Sequence, residues 1–150
     1  MKILIIKEYF KKEVSLIMQT KEKKCIDLVQ SEYDYTLNQF KEAYQYFNQD
    51  EELREPNEEL EHCEDFGQYI DEYGLCFDYV EPNTFNDQKE GFWRWQLSWG
   101  GPSDEFRIFL DEDNKIYKIE YWYMDWYDGA SIIVKNKIIY QIIKEYFLVQ

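Results

Sequence analysis

The chain has 150 residues, 45% of them hydrophobic and 19% aromatic, which suits one domain able to bury a core without staples. Its net charge of −14 repels nucleic acid, nucleotides and anionic lipid. A basic protein partner therefore fits the charge, and direct DNA binding does not.

The N-terminal third reads as helical. Ile6, Phe10, Val14 and Ile17 recur at three- and four-residue steps, and so do Ile26, Val29, Tyr33, Leu37, Phe40, Tyr44 and Phe47. The pattern allows two helices broken near Thr20–Lys24 or one long one, and residues 1–6 fit an edge strand as well. The first apolar run is interrupted at Lys7 and Glu8, so it is too short for a signal core or a membrane span. Residues 48–57 are polar and form a linker or loop ending near Pro56. Asn57 then caps a third helix with Glu58 and Glu59 in its positive first turn, and Leu60, Cys63, Phe66 and Ile70 follow at helical spacing. Tyr73–Gly74 is the expected stop, with Gly74 free to take the left-handed conformation.

After Gly74 the period changes from helix to strand. Residues 75–80 form a short strand, and residues 92–99 alternate with Trp93, Trp95, Leu97 and Trp99 on one face. Gly100–Ser103 is a turn, residues 105–110 a strand, residues 111–115 a second turn, and residues 116–126 a longer strand with bulky residues on both faces. Short turns imply antiparallel pairing in a meander. Residues 132–134 are a candidate short strand, and Ile138, Ile139, Ile142, Tyr146 and Phe147 make a closing amphipathic helix. The expected fold class is α+β: N-terminal helices, a roughly four-stranded antiparallel meander sheet and a C-terminal helix. It forms a single domain over 1–150, with a helical part at 1–73, a sheet part at 75–134 and a closing helix at 136–148. The expected core holds Trp93, Trp95, Leu97, Phe106, Ile108, Ile119 and Trp122, with Phe40, Tyr44 and Ile142 packed on it.

Residues carrying familiar chemistry are sparse. Cys25, Cys63 and Cys76 are an odd set that indicates neither a disulfide framework nor a zinc site, in keeping with a reducing, cytoplasmic compartment. His62 is the only histidine. Its neighbour Cys63 would point about 100° away on a helix and could not easily pair with it. Asp111–Asn114 fails as a calcium loop, because Ile116 and Trp122 stand where Gly and Glu are needed. Gly100–Ser103 lacks the lysine of a phosphate-binding loop. No catalytic residue, cofactor, metal or disulfide is expected. The open alternative is a small metal-dependent hydrolase built on the strand-end carboxylates Asp78, Glu81, Asp104, Glu105, Asp125 and Asp128.

The acidity is concentrated. Residues 50–72 hold 11 acidic groups against one basic group, Arg54, whereas residues 1–49 carry a net +1. Glu58, Glu61, Asp65 and Asp71 are the candidate partner-binding residues of this segment. Internal pairing with the lysine-rich first 49 residues is the structural alternative. Residues 121–127 hold five aromatics in seven positions. Either they cover both faces of a central strand, or they form a docking patch in which Trp126 stands between Asp125 and Asp128.

Residues 73–130 resemble the small acidic proteins carried on bacterial conjugative elements, plasmids and prophages. The resemblance lies in Tyr73-Gly74-Leu75, Phe77–Val80, Phe85, Gly91, the run Gln96–Arg107, Ile119–Trp122 and Asp125–Ala130. It leaves the first 72 residues uncovered. It implies a mobile-element protein similar to anti-defence factors such as restriction inhibitors and anti-CRISPR proteins. The implied partner is a Cas or other defence nuclease whose basic channel the acidic surface would occupy. An immunity protein for a basic toxin nuclease would obey the same physics.

Overall fold

The computed structural model describes residues 5–13 and 23–148. The N-terminal helices are α1, residues 5–13, and α2, Cys25–Phe47. Val14, Ile17 and the proposed break at Thr20 lie outside the described residues, as do residues 1–4. Every residue of α1 is exposed, including Ile5, Ile6, Tyr9 and Phe10.

A short 3-10 turn, Glu51–Leu53, leads to α3, Phe66–Tyr73. Five strands follow: β1, Cys76–Val80; β2, Phe92–Gln96; β3, Ser103–Leu110; β4, Ile116–Asp125; and β5, Asp128–Ile133. They pair antiparallel in the order β1-β2-β3-β4-β5, a meander, before α4, Lys137–Tyr146, closes the fold. The class is α+β with five strands. The fifth strand begins at Asp128, four residues before the candidate run at 132, because Trp126 and Tyr127 form a tight turn that sends the chain straight back.

Register divides the sheet into two different faces. Phe77, Trp95, Phe106, Tyr121 and Ile132 stand opposite one another across the five strands. This row faces the helices. Trp95 stacks between Phe40 of α2 and Phe106, at centroid distances of 5.4 and 5.5 Å. Phe147, just after α4, closes on Trp95 at 4.6 Å. Phe40, Phe106, Ile108, Ile119, Ile139 and Ile143 are fully buried here. The helices are held to the sheet by this aromatic and aliphatic layer, each large side chain contributing roughly 1.5–3 kcal/mol by leaving water.

Two members of the expected core, Trp122 and Tyr44, lie elsewhere, and a third, Trp93, packs against the core without full burial. Trp122 is on the opposite face, since it is three residues from Ile119 and side chains alternate with period 2 along a strand. Tyr44 is 39% exposed and packs edge-on against Phe66 at the rim. Trp93 faces the helices but is half-buried, stacked on Phe77 at 5.3 Å. Trp99 leaves the alternating series altogether, because β2 ends at Gln96, and is 78% exposed.

The third helix also differs from expectation. Asn57 caps only a short turn, its side chain accepting from the Glu59 N–H. The chain straightens at Cys63, and α3 starts afresh with Asp65 as its cap, accepting from the Gln68 N–H at 2.8 Å. Gly74 is extended (φ −90°, ψ 165°), not left-handed. Its missing side chain has another cause: a Cβ there would collide with the Trp95 indole.

Candidate functional site

The acidic segment wraps from the C-terminus of α2 to the end of α3. All eleven of its carboxylates are exposed. Arg54, its one cation, does not neutralise them. It folds back on α2, donating to the carbonyls of Phe47 and Gln49 at 3.1 and 3.2 Å, and its guanidinium lies over the Tyr46 and Phe47 rings. Among the described residues the only Lys, Arg or His side chain within 4.0 Å of one of these carboxylates is His62, whose Nε2 lies 2.9 Å from Glu72. No lysine of the described N-terminal residues reaches a carboxylate of this segment.

Its four candidate residues fall into two kinds. Glu58 and Asp71 have no hydrogen-bond or ion-pair partner among the described residues. Asp65 caps α3, and Glu61 accepts from the Asn57 N–H at 3.1 Å. The latter two therefore help to shape the backbone as well as adding charge. The segment is anchored beneath by the buried side chains of Leu60, Cys63 and Phe66.

The hairpin between β4 and β5 carries the other candidates. Tyr121 and Tyr123 are buried toward the helices, Trp122 is half-buried on the opposite face, and Trp126 and Tyr127 stand at 88% and 103% exposure on the tip. The aromatic run thus serves both core and surface. Trp126 has φ +53°, a conformation ordinarily given to Gly or Asn in such a tight turn. Asp125 is exposed beside it. Asp128 has a structural duty: its carboxylate accepts the Cys25 N–H at 2.7 Å, tying the first turn of α2 to the sheet. That bond, favouring the charged form, holds Asp128 below the usual carboxylate range.

Among the described residues, no helix covers the face of the sheet away from α2 and α4. A cavity of about 970 Å³ lies over it, lined among others by Phe85, Phe92, Arg107, Trp122, Trp99 and Trp126. Arg107 forms its floor. The guanidinium donates to Glu105 at 2.9 Å and lies 4.0 Å from the Trp122 centroid and 4.7 Å from that of Phe92. Next to it Arg94 pairs through two nitrogens with Asp78, at 2.8 and 3.0 Å.

The strand-end carboxylates do not gather into a metal-binding cluster. Asp78 and Glu105 are committed to arginines on the open face. Asp104 accepts from Tyr121 and Ser98, and Asp128 caps α2. Burial, with the bond to Asp104 second, pushes the Tyr121 phenol far up.

One grouping escaped the sequence reading. His62 and Cys63 do not lie in a helix, and Glu72 of α3 reaches both: its Oε2 is 2.9 Å from His62 Nε2 and 3.6 Å from Cys63 Sγ. The three donor atoms lie within 4.8 Å of one another. Burial, followed by the Glu72 charge, pushes the Cys63 thiol up. Hydrogen bonds from Gln68 and then His62 hold Glu72 low. The signal that could have exposed this group is Asp65-x-x-Gln68, a helix start placed after Cys63 rather than before it.

Comparison of the chain with family models, with curated proteins and with solved structures finds no match. Among the described residues no helix is long and apolar enough to cross a membrane.

Proposed function

We propose that this protein is an anti-defence inhibitor, most specifically an anti-CRISPR, that occupies the basic nucleic-acid channel of a defence nuclease. The observation that carries this reading is the display of eleven exposed carboxylates over residues 50–72, whose one cation, Arg54, is engaged elsewhere. Such crowding opposes folding through self-repulsion. A basic partner would relieve it, each carboxylate taking the place of a phosphate against Lys or Arg. The exposed rings of Trp126 and Tyr127, held on a strained turn, would supply the apolar anchor that charged surfaces lack. The anti-defence assignment rests on the resemblance of residues 73–130 to mobile-element proteins.

The test is affinity capture from cells carrying CRISPR–Cas and restriction systems, followed by binding measurements with the recovered nuclease. Glu58→Gln with Asp71→Asn removes charge without touching an internal hydrogen bond. With Glu52→Gln and Glu55→Gln added, the association rate should fall about tenfold or more at low salt, and its salt dependence should flatten. Duplex DNA should compete with the wild-type protein. Unchanged affinity in the quadruple variant, or simultaneous binding of DNA and inhibitor, would refute the reading.

A further inference from the structure

We propose that His62, Cys63 and Glu72 form a binding site for one divalent transition-metal ion, with Zn²⁺ the best match, leaving a fourth position open to solvent. The inference concerns a different property of the acidic segment and does not depend on the docking reading.

The donors have the right chemistry. An imidazole nitrogen, a thiolate sulfur and a carboxylate oxygen are the three ligand types zinc takes. Ca²⁺ and Mg²⁺ prefer oxygen alone and are poorly served by nitrogen and sulfur. The geometry is close to what coordination needs. Bonds of about 2.0–2.3 Å around a tetrahedral ion place nitrogen, oxygen and sulfur donors roughly 3.3–3.6 Å apart. Glu72 Oε2 lies 2.9 Å from His62 Nε2 and 3.6 Å from Cys63 Sγ. The third pair, His62 Nε2 and Cys63 Sγ, lies within 4.8 Å, and a rotation of the exposed imidazole away from Glu72 Oε2 and toward Sγ would seat an ion among the three donors.

The surroundings are organised around the same carboxylate. Gln68 donates to Glu72 Oε1 at 2.8 Å, which holds the second oxygen and turns Oε2 toward His62 and Cys63. Gln68 is itself fixed: its amide oxygen accepts from the Glu64 N–H at 2.7 Å, and its own N–H binds Asp65. Such outer hydrogen bonds orient metal ligands. Cys63 is 6% exposed, whereas the histidine and glutamate side chains are 59% and 48% exposed. An ion would thus bind with sulfur behind it and solvent in front. The carboxylates of Glu59, Glu61, Glu64 and Asp65 near it in sequence add a negative potential that attracts cations. On binding, the Cys63 thiol gives its proton to solvent and the sulfur electron pair bonds to the metal. The ion would then tie the turn at 62–63 to α3.

The experiment is a Co²⁺ titration of the purified full chain, with Co²⁺ as the spectroscopic stand-in for Zn²⁺. One equivalent should produce a thiolate-to-cobalt charge-transfer band and the visible bands of tetrahedral Co²⁺, both abolished by added Zn²⁺. Cys63→Ser should remove the charge-transfer band, and Cys25→Ser and Cys76→Ser should retain it. His62→Gln and Glu72→Gln change exposed side chains, so the fold should survive. Each should weaken Co²⁺ binding at least tenfold, with Gln68→Ala weakening it less. Absence of a thiolate band at one equivalent, its persistence in Cys63→Ser, or its loss in Cys76→Ser would overturn the proposal. None of these outcomes bears on partner binding, which is measured without added metal.

Discussion

Glu105 and Arg107 form the most deeply buried ion pair among the described residues, with side-chain exposures of 4% and 10%. Replacing Glu105 with Gln keeps the shape but leaves the guanidinium without its counter-charge. Breaking such a buried pair commonly costs about 3–5 kcal/mol. Here the cation keeps the faces of Trp122 and Phe92, at 4.0 and 4.7 Å. Those contacts are worth roughly 1–2 kcal/mol when desolvated, so the expected loss is about 2–3 kcal/mol. For a chain of this size that lowers Tm by roughly 4–12 °C. Arg107→Leu alone should cost a similar amount by stranding Glu105. The double variant should recover part of the loss, since it leaves neither buried charge without its partner. Urea unfolding of the four proteins in a double-mutant cycle measures the coupling, expected to exceed about 1.5 kcal/mol. Single losses that add to within about 0.5 kcal/mol would show that the pair is not energetically coupled.

Two further perturbations follow from local geometry. Asp128 is held below its ordinary range by the Cys25 N–H, so its folded form binds protons less tightly than the unfolded chain. Its contribution is present above the unfolded carboxylate value near 3.9 and is lost as pH falls through the lower folded value. Asp128→Asn should therefore lower stability at neutral pH and shrink the gap between wild type and variant below about pH 3, read by denaturant unfolding across pH. An equal gap at all pH values would refute the capping role. Gly74→Ala should cost about 1–3 kcal/mol, because its Cβ meets the fully buried Trp95 indole. Gly91→Ala should cost less, because the obstructing Tyr79 hydroxyl belongs to a side chain 45% exposed and free to swing aside. Equal losses in the two variants, measured by thermal unfolding, would contradict this.

Periodicity made most of the fold readable. The steps from Val29 to Phe40 become the buried stripe of α2, and the alternation through Trp93 and Trp95 becomes the helix-facing side of β2. The fifth strand was harder to read because its turn contains neither Gly nor Asn at Trp126–Tyr127. A strained aromatic turn carries no ordinary signal. Trp122 was misplaced for a different reason. A strand with bulky residues at every position has no alternation to assign, and only pairing with Glu105 of β3 settles its face. The split of the third helix was missed because Leu60, Cys63, Phe66 and Ile70 keep helical spacing across a break, each still reaching the core.

The candidate surfaces were legible as composition but not as geometry. The charge excess at residues 50–72 can be counted, whereas the engagement of Arg54 with Tyr46 and Phe47 depends on a chain reversal. That reversal sharpens the electrostatic argument. A segment with 11 carboxylates and one arginine could have shielded itself at its centre, but the arginine is spent on closing the end of α2. The open sheet face is the opposite case: its strands present Asp78, Glu105 and Glu120 with Arg94, Arg107 and Lys118, nearly balanced and largely paired. Under the proposed function, long-range attraction of a basic partner would therefore originate mainly on the acidic segment. The open face, with its cavity and its neutralised floor, is suited to contacts made after encounter, where shape and desolvation act at short range. Charge changes at residues 50–72 should alter how fast a partner arrives, and changes around Trp126 should alter how long it stays.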